Sequence, residues 1–170
     1  GWFLSASDPP QYMRNAVYLN TGSHHFMEAA FLCGLSNTDW TWTVKFADLD
    51  NDGHNDLFVT NGMTRDWFNS DLLNQAKLLN GPAEVNAFWD KQKIKEDTNL
   101  VFRNSGKLTF DNVNEQWGLD LKAASFGSAM ADLDNDGDLD IVFGTGEAVF
   151  LNDGSGQFIS TGQIFGGGEI

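Results

Sequence analysis

The sequence is poor in cysteine, in basic side chains and in long apolar runs, and each shortage closes off a class of protein. Cys33 is the single cysteine among 170 residues, so no internal disulfide can form. It is expected to be a small buried side chain near a hairpin end, with an intermolecular bridge as the minor option. Ten Lys and Arg stand against 24 Asp and Glu, for a net charge of −14. Phosphate backbones are held by Lys and Arg, so this balance speaks against a nucleic-acid partner. No apolar run approaches the ~20 residues that a bilayer-spanning helix needs. The three histidines, His24, His25 and His54, have no paired nucleophile or second base and read as exposed turn residues, so no catalytic residue is assigned. The chain opens without Met and closes on a glycine-rich stretch at residues 166–170, as expected of a piece of a longer protein.

What the chain has in excess is one acidic pattern, written twice. Asp48, Asp50, Asp52 and Asp56 recur as Asp132, Asp134, Asp136 and Asp140, with Gly53 and Gly137 at the sixth position of each copy. Nine of the 24 acidic residues fall in these two segments. Two like charges about 4 Å apart repel by roughly 1 kcal/mol in water and about 4 kcal/mol at an effective dielectric near 20. Carboxylates gathered this way need a cation, and oxygen donors at positions 1, 3, 5 and 9 suit a hard one, Ca2+, at two sites. Two such ions bring the net charge from −14 to −10. Asn51 and Asn135 fit the tight turn because Asn tolerates the left-handed region. The seventh position, His54 or Asp138, is assigned its backbone carbonyl, with a side chain free to vary. The alternative is a pair of solvated Asx-rich turns.

An EF-hand requires a bidentate Glu at position 12, where this chain has Val59 and Phe143. Short β-branched and aromatic runs follow each acidic segment, ended by Asn61 and Gly62 or by Gly144 and Gly146, so the loops are expected between strands.

A second motif sets the length of the repeat. Asn20 with Gly22 leads to Phe26, Asn104 with Gly106 to Phe110, and Asn152 with Gly154 to Phe158, each reading as a hairpin. Asn20 and Asn104 are 84 positions apart, as are Asp48 and Asp132, whereas Asn104 and Asn152 are 48 apart. The unit is therefore about 48 residues, and one copy carries an insertion of about 36. Strands are predicted over residues 42–49, 57–61, 100–104 and 108–113, then over 127–133, 140–144, 148–152 and 157–160. Residues 15–31 supply the last two strands of a unit whose beginning is missing. Four strands per 40 to 50 residues is the pattern of a β-propeller blade. The fold class is thus all-β: a partial propeller of about two and a half four-stranded blades with an α-helical insertion. The segments are 15–35, 42–113 and 126–161. Four to eight blades close a ring, so an arc this short is expected to leave apolar faces and strand edges exposed.

The insertion, residues 63–98, changes character. One helix is predicted over 70–79 with Asn69 or Ser70 as cap, and a second over 82–97 with Val85, Phe88 and Trp89 on one face. Trp67, Phe68, Phe88 and Trp89 either form a sugar-stacking platform or glue the helices to the blade.

The acidic segments, with Phe46 and Ala47 before the first and Met130 and Ala131 before the second, resemble FG-GAP/VCBS repeats of integrin-α-like propellers. Residues 99–110 with Trp117, Gly118 and Leu119 are similar to the ASPIC/UnbV-type secreted bacterial branch, relatives of cartilage acidic protein. The resemblance implies an extracellular or cell-envelope propeller with calcium in its blade loops. The ligands implied are Asp48, Asp50, Asp52, the His54 carbonyl and Asp56, then Asp132, Asp134, Asp136, the Asp138 carbonyl and Asp140. The expected role is non-catalytic adhesion through an extracellular protein or glycan ligand, and the sites are expected to act independently. The alternative is a hydrolase or lyase whose catalytic site lies outside this segment.

Overall fold

The structure is a computed structural model that describes residues 14–144 and 149–162. The expected strand start at Ala148, the turn at Thr145 and Gly146, and the 166–170 tail lie outside the described residues. The first elements are the hairpin strands β1 (Tyr18–Asn20) and β2 (Phe26–Glu28). The Asn20 side chain accepts the Gly22 N–H at 2.9 Å, which forms the Asx-turn that the Asn-x-Gly motif predicts. A one-turn helix, α1 (Ala30–Cys33), follows where the sequence reading continues a strand to residue 31. Glu28 accepts the Ala30 N–H at 2.9 Å, and Gly34 ends the turn in the left-handed region at φ 77°. A carboxylate at one end and a left-handed stop at the other favour helix over strand here.

Next come β3 (Thr41–Ala47) and β4 (Asp56–Asn61), joined by the first acidic loop. The insertion then supplies α2 (Ser70–Ala76), α3 (Pro82–Asp90) and the short β5 (Asp97–Thr98). Asn69 caps α2 by accepting the Asp71 and Leu72 N–H groups, as predicted. Helix α3 stops at Asp90, seven residues before the expected end, and Arg65 caps it by donating to the Trp89 carbonyl at 2.7 Å. After the insertion β6 (Leu100–Asn104) and β7 (Phe110–Asn112) complete an antiparallel sheet in the order β3-β4-β6-β7. The short β8 (Lys122–Ala123) pairs with β5. The chain then runs through β9 (Ser128–Ala131), β10 (Asp140–Phe143), β11 (Val149–Asn152) and β12 (Phe158–Ser160), a second antiparallel sheet in sequential order. The second acidic loop joins β9 to β10. In all three hairpins the motif Asn pairs with the motif Phe: Asn20 with Phe26, Asn104 with Phe110 and Asn152 with Phe158.

The two four-stranded sheets stack through a shared core. Phe58 and Val101 of the first sheet meet Ile141, Phe143 and Phe150 of the second, with Trp117 and Leu119 from the connection between them. The Phe58 and Phe143 rings make an edge contact at 5.5 Å. Alternation along β4 sends Leu57 and Val59 to the opposite side, where they pack with Phe102 against Ala29, Cys33 and Leu35. Strand β4 is therefore buried on both faces, which explains its unbroken apolar run. Cys33 is buried at the hairpin end, as expected. On β3 the side chains of Trp42, Val44 and Phe46 remain exposed.

The insertion is held by aromatic contacts. Trp89 is buried, Trp67 lies 4.5 Å from it, and Phe68 lies 4.6 Å from Trp40 at the start of the first sheet. Trp89 thus serves packing within the insertion, while Trp67 and Phe68 stay exposed and only the Phe68–Trp40 contact reaches the sheet. No helix among the described residues is long and apolar enough to cross a membrane.

A buried amide network fixes the connections on the insertion side. The Asn99 side chain accepts the Asn61 N–H at 2.9 Å and donates to Ser125 Oγ at 2.9 Å. Asn114 accepts the Val101 N–H at 3.0 Å and donates to the carbonyls of Asn99 and Leu119. Removing one partner strands buried groups at about 1–3 kcal/mol each. Asn114→Ala is accordingly expected to lower stability by about 2–4 kcal/mol in urea unfolding followed by tryptophan fluorescence; a loss below about 0.5 kcal/mol contradicts the role given to the network.

Candidate metal centres

Each acidic loop is organised by its own backbone. In the first, Asp48 accepts the Asp52 and Gly53 N–H groups at 3.1 and 2.9 Å, and Asp52 accepts the His54 N–H at 2.9 Å. In the second, Asp132 accepts the Asp136 and Gly137 N–H groups at 3.2 and 3.1 Å, and Asp136 accepts the Asp138 N–H at 3.0 Å. Asn51 and Asn135 take positive φ, 56° and 65°, as the turn demands.

The ninth-position carboxylates carry the heaviest structural role. Asp56 and Asp140 are fully buried. Asp56 accepts the Leu49 N–H at 2.9 Å and the Asn104 N–H at 2.8 Å. Asp140 accepts the Leu133 N–H at 2.7 Å and the Asn152 N–H at 2.8 Å. One side chain thus ties its loop to the end of the third strand in each sheet. Burial pushes the Asp56 carboxyl up to about 6, against the two N–H bonds that pull it down, and the charges of Asp50 and Asp52 add to the rise.

The loops bring together most, not all, of the expected ligands. Carboxylate oxygens of Asp48, Asp50 and Asp56 lie within 4.8 Å of one another in the first loop, and those of Asp132, Asp134 and Asp136 in the second. Two oxygens each about 2.4 Å from one cation can be up to about 4.8 Å apart, so both groups fit a calcium-sized ion. The donors are all hard oxygens, which suits calcium or magnesium rather than zinc or copper. Position 12 stays out, since Val59 and Phe143 are buried in the strands. Asp52 and Asp140 fall outside these groups. Partial desolvation, followed by the charges of Asp136 and Asp140, raises the Asp134 carboxyl from its ordinary value.

A model of the FG-GAP-like repeat family matches residues 3–59 and 92–143, more than half of the chain. The chain belongs to the FG-GAP-like repeat family. The gap between the matched stretches, residues 60–91, falls almost entirely within the helical insertion, as expected of a segment foreign to the repeat. No curated protein matches the chain.

Within this FG-GAP-like chain, three residues have roles that the sequence reading did not assign. The seventh-position side chains lie over the glycine of the neighbouring hairpin turn. The His54 ring occupies the space above Gly106, where an added Cβ would come within 2.7 Å of Nε2, and the Asp138 carboxylate fills the same place above Gly154. Asp138 also accepts a hydrogen bond at 2.7 Å from the Asn51 side chain of the first loop, a direct contact between the two loops. Arg103 reaches into the first loop, its Nε 2.5 Å from Asp50 and its Nη2 3.0 Å from Asp52. The 48-residue offset that relates Asn104 to Asn152 places Leu151 opposite Arg103, which is the signal a repeat alignment carries. His24 and His25 are exposed in the hairpin turn, and His54 is exposed as well.

Two measurements follow from this geometry. In chelator, Asp140→Ala is expected to cost about 2–4 kcal/mol in chemical unfolding, because a buried and a part-buried N–H group lose their acceptor. Asp134→Ala under the same conditions should leave stability unchanged or raise it, and equal losses from both variants contradict the division of labour. A double-mutant cycle on Asn51→Ala and Asp138→Ala should give a coupling of about 0.5–1 kcal/mol. Strict additivity removes the link between the loops.

Proposed function

We propose that this chain is a calcium-stabilised segment of a β-propeller, with a non-catalytic role in binding an extracellular protein or glycan. The observation that carries the reading is a group of three carboxylates within 4.8 Å in each loop, from positions 1, 3 and 9 in the first and 1, 3 and 5 in the second, at the same turn of two stacked four-stranded sheets. Asp48, Asp50 and Asp56 are the side chains suited to hold calcium in the first loop, and Asp132, Asp134 and Asp136 in the second. A bound calcium ion supplies positive charge where the carboxylates repel one another. The loops themselves present the donors through their Asx-turns, and Asp56 and Asp140 hold the turns to the sheets.

The propeller part of the reading is supported by repeated antiparallel sheets that stack face against face, and by the exposed row of Trp42, Val44 and Phe46, the kind of apolar surface that a further sheet covers. A secreted or envelope location accords with FG-GAP-like repeats and with calcium loops, which stay occupied where calcium is millimolar. Within the family we assign the chain to the ASPIC/UnbV-type branch, on residues 99–110 and the Trp117-Gly118-Leu119 segment. A binding role accords with acids committed to the loops.

Chelation is expected to lower the melting temperature by about 5–10 °C relative to protein in a hundredfold excess of calcium over its dissociation constant, with full recovery on adding calcium back. Differential scanning calorimetry reads this directly, and identical melts in chelator and in calcium exclude the proposed role.

A further inference from the structure

The two loops share their acidic spacing but not their electrostatic surroundings. Arg103, on β6, donates to Asp50 and Asp52 at once, and Asp50 is only 7% exposed in that pairing. The corresponding residue on β11 is Leu151, which brings no charge to the second loop. The carboxylates respond accordingly. Asp136 joins Asp132 and Asp134 in one compact group, whereas its counterpart Asp52 lies outside the group of Asp48, Asp50 and Asp56 and pairs with Arg103 instead.

We propose that Arg103 is a built-in counter-cation of the first acidic loop, so that the second loop binds calcium at least tenfold more tightly than the first. The inference rests on the calcium reading of the loops. A divalent ion entering the first loop must approach a fixed positive charge and displace a guanidinium from two charge-assisted hydrogen bonds. The second loop presents three carboxylates with no such competitor among the described residues. Arg103 is itself 44% exposed on a flexible stem, so it can swing outward, and the first loop becomes a weak site rather than a closed one. The consequence is a division between neighbouring units. The first loop keeps its charge balanced as calcium falls, and the second responds to calcium.

Isothermal titration of the whole chain with calcium chloride tests this in the wild type, Arg103→Leu and Asp134→Asn, with circular dichroism as the folding check. The wild type is expected to give one tight site and one at least tenfold weaker. Arg103→Leu, which copies Leu151, should tighten the weak site at least tenfold, and Asp134→Asn should remove the tight one. Unchanged affinities in Arg103→Leu overturn the role of Arg103 and leave the calcium reading intact. If Arg103→Leu does not fold, the wild type and Asp134→Asn still decide: tight binding that survives Asp134→Asn overturns the proposal. No calcium binding by any variant overturns the proposal together with the calcium reading.

Discussion

A buried carboxylate at the start of the second strand holds each repeat together. Asp56 and Asp140 have no exposure, and each spends its two oxygens on two backbone N–H groups, one from the acidic loop and one from the Asn that opens the next hairpin. A charge taken out of water is costly unless it is hydrogen-bonded, and the rise of the Asp56 carboxyl to about 6 records that cost. The bonds are worth that cost because they connect elements distant in sequence. Asn104 lies 48 residues beyond Asp56, across the whole insertion, yet its N–H reaches the same carboxylate that Asn152 reaches on Asp140 from 12 residues away. The insertion is tolerated because its two ends emerge from a sheet whose strands are already fastened at the opposite end.

The same acids that organise the loops create their need for positive charge, and the two repeats meet that need differently. Arg103 compensates the first loop from a neighbouring strand, while the second has Leu151 in that place. The bond from Asn51 to Asp138, and that from the Asn152 side chain to the Leu49 carbonyl at 2.8 Å, then carry the geometry of one unit to the next. Sheet stacking is thus reinforced by polar contacts at the loop end and by the Phe58–Phe143 contact in the core. Repeats that look interchangeable become distinct through what their neighbours place against them.

Much of this was legible in the sequence because it rests on spacing. Short β-branched and aromatic runs, the Asn-x-Gly turns and the acidic positions placed the strands of both sheets to within a few residues, and all three Asn–Phe pairs fall where the repeat puts them. The short helix after β2 was missed because its determinants, the Glu28 cap and the Gly34 stop, outweigh an apolar run that also suits a strand. The early end of α3 was missed because Arg65, 17 residues before the helix begins, supplies its cap.

The sequence by itself determined the repeat, the strand content and the turn chemistry of the acidic loops, since these follow from local backbone preferences and from distances along the chain. Tertiary structure decided which oxygens converge and which do not. It drew Asp52 to Arg103, turned Asp56 and Asp140 inward to backbone donors, and set Asp138 against Asn51. Those choices depend on charges and hydrogen-bond donors brought close from 7 to 87 residues away, and Coulomb and hydrogen-bond energies depend on distance in space, which sequence separation does not specify.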